Sequence, residues 1–339
     1  MRKTLSLVIL SSTISLYASN NLVQEALKAG LKPIPKDKQE LKKLIDNPKN
    51  PITQEKVELG KKLYFEPRLS KSALISCNTC HNLATGGDDN IPVATGHKWR
   101  QNPHHLNSPT VFNAVFAKRQ FWDGRSPDLE DQATGPIQAA PEMDMHKDMA
   151  VKVVTSIPEY KKSFEKVFSN EKITIETIGK AIGAFERTLV TPSRFDDYLN
   201  GDENALTKEE KDGLKTFIKV GCASCHSGVA LGGTMQPFPV AKPYKYANVG
   251  DFKGNKNGMV KTPTLRNVTQ TAPYFHNGAV WSLKEAVKIM GETQLGKTLS
   301  EKEINSIVTF LKTLDGKKPE ITYPTLPNST KDTPKPSLD

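Results

Sequence analysis

Two five-residue stretches carry the chemistry of this chain: Cys77-Asn78-Thr79-Cys80-His81 and Cys222-Ala223-Ser224-Cys225-His226. Each reads C-x-x-C-H, the attachment pattern for c-type haem. Two cysteines three positions apart share one face of a helical turn, so each thiol can form a thioether with one haem vinyl group. The histidine that follows is then held beneath the iron as proximal ligand. The two motifs use all four cysteines of the chain and leave none for a disulfide. A zinc ribbon also uses two C-x-x-C pairs, but those lie about 15–20 residues apart, far closer than Cys80 and Cys222. A thioredoxin-like redox pair does not explain the histidine after each motif. The expectation is two covalently bound haem c groups, with His81 and His226 as proximal ligands.

The sixth ligands decide what such haems do. In the second half, Met290 shares a helical face with Leu283, Ala286 and Val287, and Gly291 is expected to end that helix. A buried core methionine is the competing account, and Met235 and Met259 are rivals in polar loops. His/Met ligation raises a haem's potential and suits electron transfer. In the first half, Met143 follows His81 at nearly the spacing at which Met290 follows His226. Taken alone, that symmetry describes a dihaem electron carrier. Yet Met143 sits in an acidic stretch, Pro141-Glu142-Met143-Asp144-Met145-His146, with no amphipathic helix around it. A carboxylate beside a haem is expected where protons must move. His97, after Gly96 in a Gly-rich loop, is the alternative ligand, although an isolated loop histidine is more often a surface residue.

Around these positions the signals are helical. Segments 21–28, 36–45 and 53–65 are amphipathic, and Ile175, Ile178, Ile182, Phe185 and Leu189 repeat at three or four residues. Thr207/Glu210, Ser282/Glu285 and Ser300/Glu303 have the spacing of capping boxes. Two Gly-, Pro- and Asn-rich segments, 82–138 and 227–280, resist helix assignment, and each follows a haem motif. Alternating strand patterns are nearly absent. The fold class is therefore all-α: two c-type cytochrome domains with long haem-wrapping loops, a recognised exception to the rarity of long loops. The expected division is 43–190 and 191–320, with 21–42 packing on the second domain and 321–339 an extended, poorly ordered tail.

Residues 1–20 read as a signal peptide: Arg2 and Lys3, an apolar run from Leu5 to Leu16, then Ala18 and Ser19. The run is too short and polar to span a membrane. Export to the periplasm agrees with covalent haem. The formal charge is +10, carried by scattered rather than blocked lysines, which fits a solvated surface or an acidic redox partner and not nucleic acid.

Over nearly all of the mature chain the sequence resembles the bacterial dihaem cytochrome c peroxidases. The resemblance rests on Thr95-Gly96-His97-x-Trp99, Phe121-Trp122-Asp123-Gly124-Arg125, Gln132-x-x-x-Gly135-Pro136-Ile137, Pro263-Thr264-Leu265-Arg266-Asn267-Val268, Pro273-Tyr274-Phe275-His276-Asn277-Gly278 and Met290-Gly291. It implies that the first haem is peroxidatic and the second transfers electrons. It implies that His97 blocks the first iron in the resting oxidised state, that Glu142 and Gln132 lie above that iron, and that Trp122 stands between the haems. Asn107, Thr271 and Pro273 match residues around a calcium ion at the domain junction. The stretch Asn102-Pro103-His104-His105 looks longer than usual there. The implied activity is periplasmic reduction of hydrogen peroxide by a homodimer, with electrons from a small reduced cytochrome c. A Tyr stands at the Met290 position in the related methylamine-utilisation enzyme, so Met290 argues against that protein-modifying chemistry.

Overall fold

The computed structural model describes residues 21–339, so the expected signal peptide lies outside the described residues. Helix α1 covers 21–28, followed by α2 (Lys38–Ile45), α3 (Gln54–Tyr64) and the short α4 (Cys77–Cys80). Then come α5 (Leu129–Gln138), α6 (Lys147–Thr155), α7 (Pro158–Val167), α8 (Ile175–Glu186), α9 (Arg194–Leu199) and α10 (Lys208–Val220). Strands β1 (Met235–Pro237) and β2 (Met259–Lys261) form an antiparallel pair before α11 (Leu283–Thr293) and α12 (Glu301–Leu311).

Two apolar cores result. The stripe on α8 supplies Ile178, Ile182, Phe185 and Leu189 to the first core, where α8 packs on α3 and α5. The second core is built where α10 packs on α12, and Leu22, Val23 and Ala26 of α1 join it. Local signals hold these helices. Thr53 caps α3, reciprocal capping boxes open α10 and α12, and Gly221 ends α10 in the left-handed region at φ 109°. At α11 only half the box forms, with Ser282 accepting from the Glu285 N–H. Arg266, fully buried, grips Asp196 through two hydrogen bonds of 2.9 and 2.8 Å. Asp196 also accepts from the Ile34 N–H at 2.7 Å, so one carboxylate ties the α1–α2 connection, α9 and the segment before α11 together. Thr191 Oγ1 accepts from both Asn113 and Asn267, at 2.7 and 2.8 Å, and so links the two halves.

Three expectations need correction. The segment 82–138 contains a helix, α5, despite Pro136 within it. Pro136 stands near the C-terminal end, where its missing N–H removes a single intrahelical bond. Helix α11 runs through Gly291 to Thr293 instead of stopping there. The tail, although extended, is held in place: Arg68 donates to Pro327 O and Ser329 Oγ, the Ser337 N–H donates to Lys71 O, and Ile321 and Leu326 pack on the first core.

Candidate active site

Each C-x-x-C-H motif opens onto its own cavity. Cys77, Cys80 and His81 line one of about 280 Å³, and Cys222, Cys225 and His226 line one of about 220 Å³. Because the cysteine pairs face separate cavities, they do not form a four-cysteine zinc site. The proximal histidines are set alike. His81 Nδ1 lies 2.9 Å from Pro109 O, and His226 Nδ1 lies 3.1 Å from Leu231 O. A hydrogen bond at Nδ1 fixes the tautomer and leaves Nε2 for a metal. Burial lowers both histidines to about 4, so each is a neutral imidazole, the ligating form, at neutral pH. Tyr64 supports the first motif by donating to His81 O at 2.6 Å. Free cysteines, an imidazole facing the hollow and a mostly apolar lining are the features a covalently attached haem needs, and both cavities have them.

The first cavity has a polar wall. On α5, Leu129, Gln132, Ala133 and Pro136 follow the i, i+3, i+4, i+7 pattern, and all four line it. The chain then folds back on α5: the N–H groups of Glu142 and Asp144 donate to Ala139 O, and those of Met143 and Met145 donate to Pro136 O and Ile137 O. This return brings Glu142 to the same cavity as Gln132. Burial raises the Glu142 carboxyl, and Arg125 acts in the opposite direction. Met143 lines the cavity too, and is buried in the first core.

His97 is buried, yet its ring is not part of the cavity wall. Its N–H donates to Glu142 O at 2.5 Å, and among the described residues neither ring nitrogen has a hydrogen-bond partner. Asp144 Oδ2 is 3.8 Å from Nε2. Gly96 is required beside it, because a Cβ there would lie 2.1 Å from Pro141 O. The His97 and Glu142 loops are thus in backbone contact. Lys98 and Trp99 follow with φ of 62° and 57°, a strained pair for non-glycine residues.

In the second cavity, Leu283, Ala286, Val287 and Met290 form one face of α11 and all line the wall. Trp122, Asn107 and Lys261 line both cavities. Asn107 Nδ2 donates to Pro273 O at 2.7 Å and Phe275 O at 3.2 Å, so the structure brings Asn107 and Pro273 together. A cation between them would require the amide to turn over and present its oxygen. The Thr271 hydroxyl donates elsewhere, to Val268 O at 3.3 Å.

Two wall residues have no counterpart in the sequence reading. Glu186, at the end of α8, lines the first cavity, its Oε2 without a hydrogen-bond partner among the described residues, and burial pushes it up to about 8. Its position four residues after Ile182, on the buried stripe, was the available signal. Lys261 gave none, since it is one lysine among many.

Two c-type motifs over two cavities, one with a polar wall, frame the comparison with known proteins. Residues 54–204 match the family described as Di-haem cytochrome c peroxidase, and residues 210–315 match Cytochrome c. The cytochrome c551 peroxidase of Pseudomonas aeruginosa is 46% identical over 333 residues, covering 94% of each chain. This chain belongs to the dihaem cytochrome c peroxidase family. It is an oxidoreductase of the peroxidase class, and its two cytochrome c domains imply haem c. The cytochrome c551 peroxidase of Nitrosomonas europaea is 48% identical, over 84% of this chain and 87% of that one. A solved structure, described as a MauG-like protein associated with microbial copper homeostasis, is 27% identical with a TM-score of 0.69, covering 80% of this chain and 92% of that one. Among the described residues no helix is long and apolar enough to cross a membrane.

Proposed function

We propose that this peroxidase reduces hydrogen peroxide to two waters, taking two protons from the surrounding water and two electrons, one at a time, from a small reduced cytochrome c. The observation that carries the reading is the convergence of Glu142 and Gln132, from two segments, on the cavity that holds Cys77, Cys80 and His81. Haem iron bound there supplies the redox chemistry. Glu142 moves a proton between the two peroxide oxygens, a task suited to a carboxyl whose affinity for protons is raised by burial. Gln132 holds peroxide by hydrogen bonds without ionising. His97, buried next to the Glu142 loop, would be the side chain that holds the first iron when the protein is oxidised and at rest, and would have to release it for peroxide to bind. In the second cavity, His226 and Met290 would hold the haem that takes up electrons, and Trp122, which lines both cavities, would stand between it and the first. The first and second cores support domains of 43–190 and 191–320, and the α1 contacts support placing 21–42 on the second. The reading includes a calcium ion at Asn107, Thr271 and Pro273, a homodimer, and a periplasmic location after removal of residues 1–20.

The rival is a dihaem electron carrier, favoured by the presence of Met143 in the wall of the first cavity. Peroxide-dependent oxidation of reduced cytochrome c separates the two. A peroxidase consumes two reduced cytochromes per peroxide, and no oxidation above background leaves the carrier reading.

A further inference from the structure

Lys261 ends β2 at the wall between the two cavities. It is buried, with a relative exposure of 8%. Among the described residues it is the one lysine or arginine that lines both cavities, since Arg125 lines the first alone. Its backbone N–H donates to Trp122 O at 2.7 Å, which fixes it beside the aromatic that also faces both sides. Its ammonium makes no ion pair among the described residues. Asp123, the carboxylate that acts on it, is already engaged by Arg125 at 3.0 Å. Burial accordingly lowers the ammonium to about 8. A buried cation without an anion is unfavourable and calls for a partner.

Haem c brings that partner. Thioether formation consumes the vinyl groups and leaves two propionate carboxylates on each haem. We propose that Lys261 is the shared counter-charge for haem propionates on the two sides of Trp122, and that it holds up the reduction potentials of both haems together. The proposal rests on the two-haem reading. Reduction adds an electron near the ammonium, so the charge favours the reduced form of either haem. Replacing it with a neutral side chain should lower both midpoint potentials, and a side chain that keeps the charge should not.

The test compares holoprotein of the parent, Lys261→Met and Lys261→Arg by spectroelectrochemical titration, with covalent haem content measured first. The expected result is a downward shift of both potentials in Lys261→Met, near-parental potentials in Lys261→Arg, and propionate bending bands in the resonance Raman spectrum that move in the methionine variant alone. A parent with fewer than two covalent haems overturns the two-haem reading. Two haems in parent and methionine variant with unchanged potentials overturn the Lys261 proposal alone. A shift at one haem only overturns the shared role, and an equal shift in both variants shows that packing, not charge, matters. Should Lys261→Met fail to load haem, Lys261→Gln takes its place with the same outcomes.

Discussion

Trp122 donates its indole N–H to the backbone carbonyl of Asn107 at 2.9 Å, and both residues line both cavities. Asn107 in turn holds Pro273 O through its side chain. The aromatic between the cavities is therefore fixed to the loop that follows the first haem motif, and that loop is fixed to the segment before α11. A displacement at this junction is felt on both sides.

Glu142→Gln is expected to keep both haems attached and to lose on the order of 10²–10⁴-fold in peroxide turnover. The amide fills the same space but carries no proton between the peroxide oxygens. Steady-state turnover, normalised to covalent haem, is the measurement. Parental turnover in the variant would make Glu142 an ordinary loop residue.

His97→Gly should give a high-spin first haem in the oxidised protein and reaction with peroxide without prior reduction. His97 is buried, and among the described residues neither ring nitrogen has a protein hydrogen-bond partner. A second state in which one nitrogen ligates iron would give His97 a differential interaction, as a two-state switch requires. The backbone contact between His97 and Glu142 O means that His97 cannot move without disturbing the loop of the proposed proton carrier. Electron paramagnetic resonance of the oxidised variant checks this. A low-spin first haem identical to the parent's would remove His97 from the mechanism.

Met290→His or Met290→Ala should lower the potential of the second haem and slow electron arrival from the donor. Potentiometric titration and the sulfur-ligand absorption report it directly. If both are unchanged, Met290 is a core residue of α11, and the sixth ligand lies elsewhere on the wall.

Glu186→Gln is expected to change how stability depends on pH. Burial raises Glu186 from the ordinary 4.5 to about 8, so the folded protein keeps a proton that the unfolded chain has released. Its contribution is complete below the unfolded value and is lost as pH rises through the folded one. The parent should lose up to about 1.4 kcal/mol per pH unit from this group across that window, and the variant, neutral throughout, should lose less. Denaturant unfolding of haem-loaded parent and variant at several pH values measures the slopes. Equal slopes would mean that Glu186 binds no extra proton in the folded state.

The groups proposed to hold the haems were legible in the sequence because they are neighbours in the chain. Cys77, Cys80 and His81 belong to one turn, as do Cys222, Cys225 and His226, so spacing alone carries their chemistry. The stripe on α8 and the capping residues Thr207 and Ser300 could also be read locally, since helix period and cap geometry need only a few residues. Helix α5 was hidden by its Gly and Pro, although Leu129, Gln132, Ala133 and Pro136 already spelled its cavity-facing side. What only the tertiary structure decided is which polar groups meet. Glu142 reaches Gln132 because the chain folds back on α5 through backbone hydrogen bonds that no side-chain pattern announces. Glu186 and Lys261 are ordinary charged residues by type. Their importance comes from burial beside a cavity, where an uncompensated charge is expensive, and burial is set by packing between segments far apart in the chain.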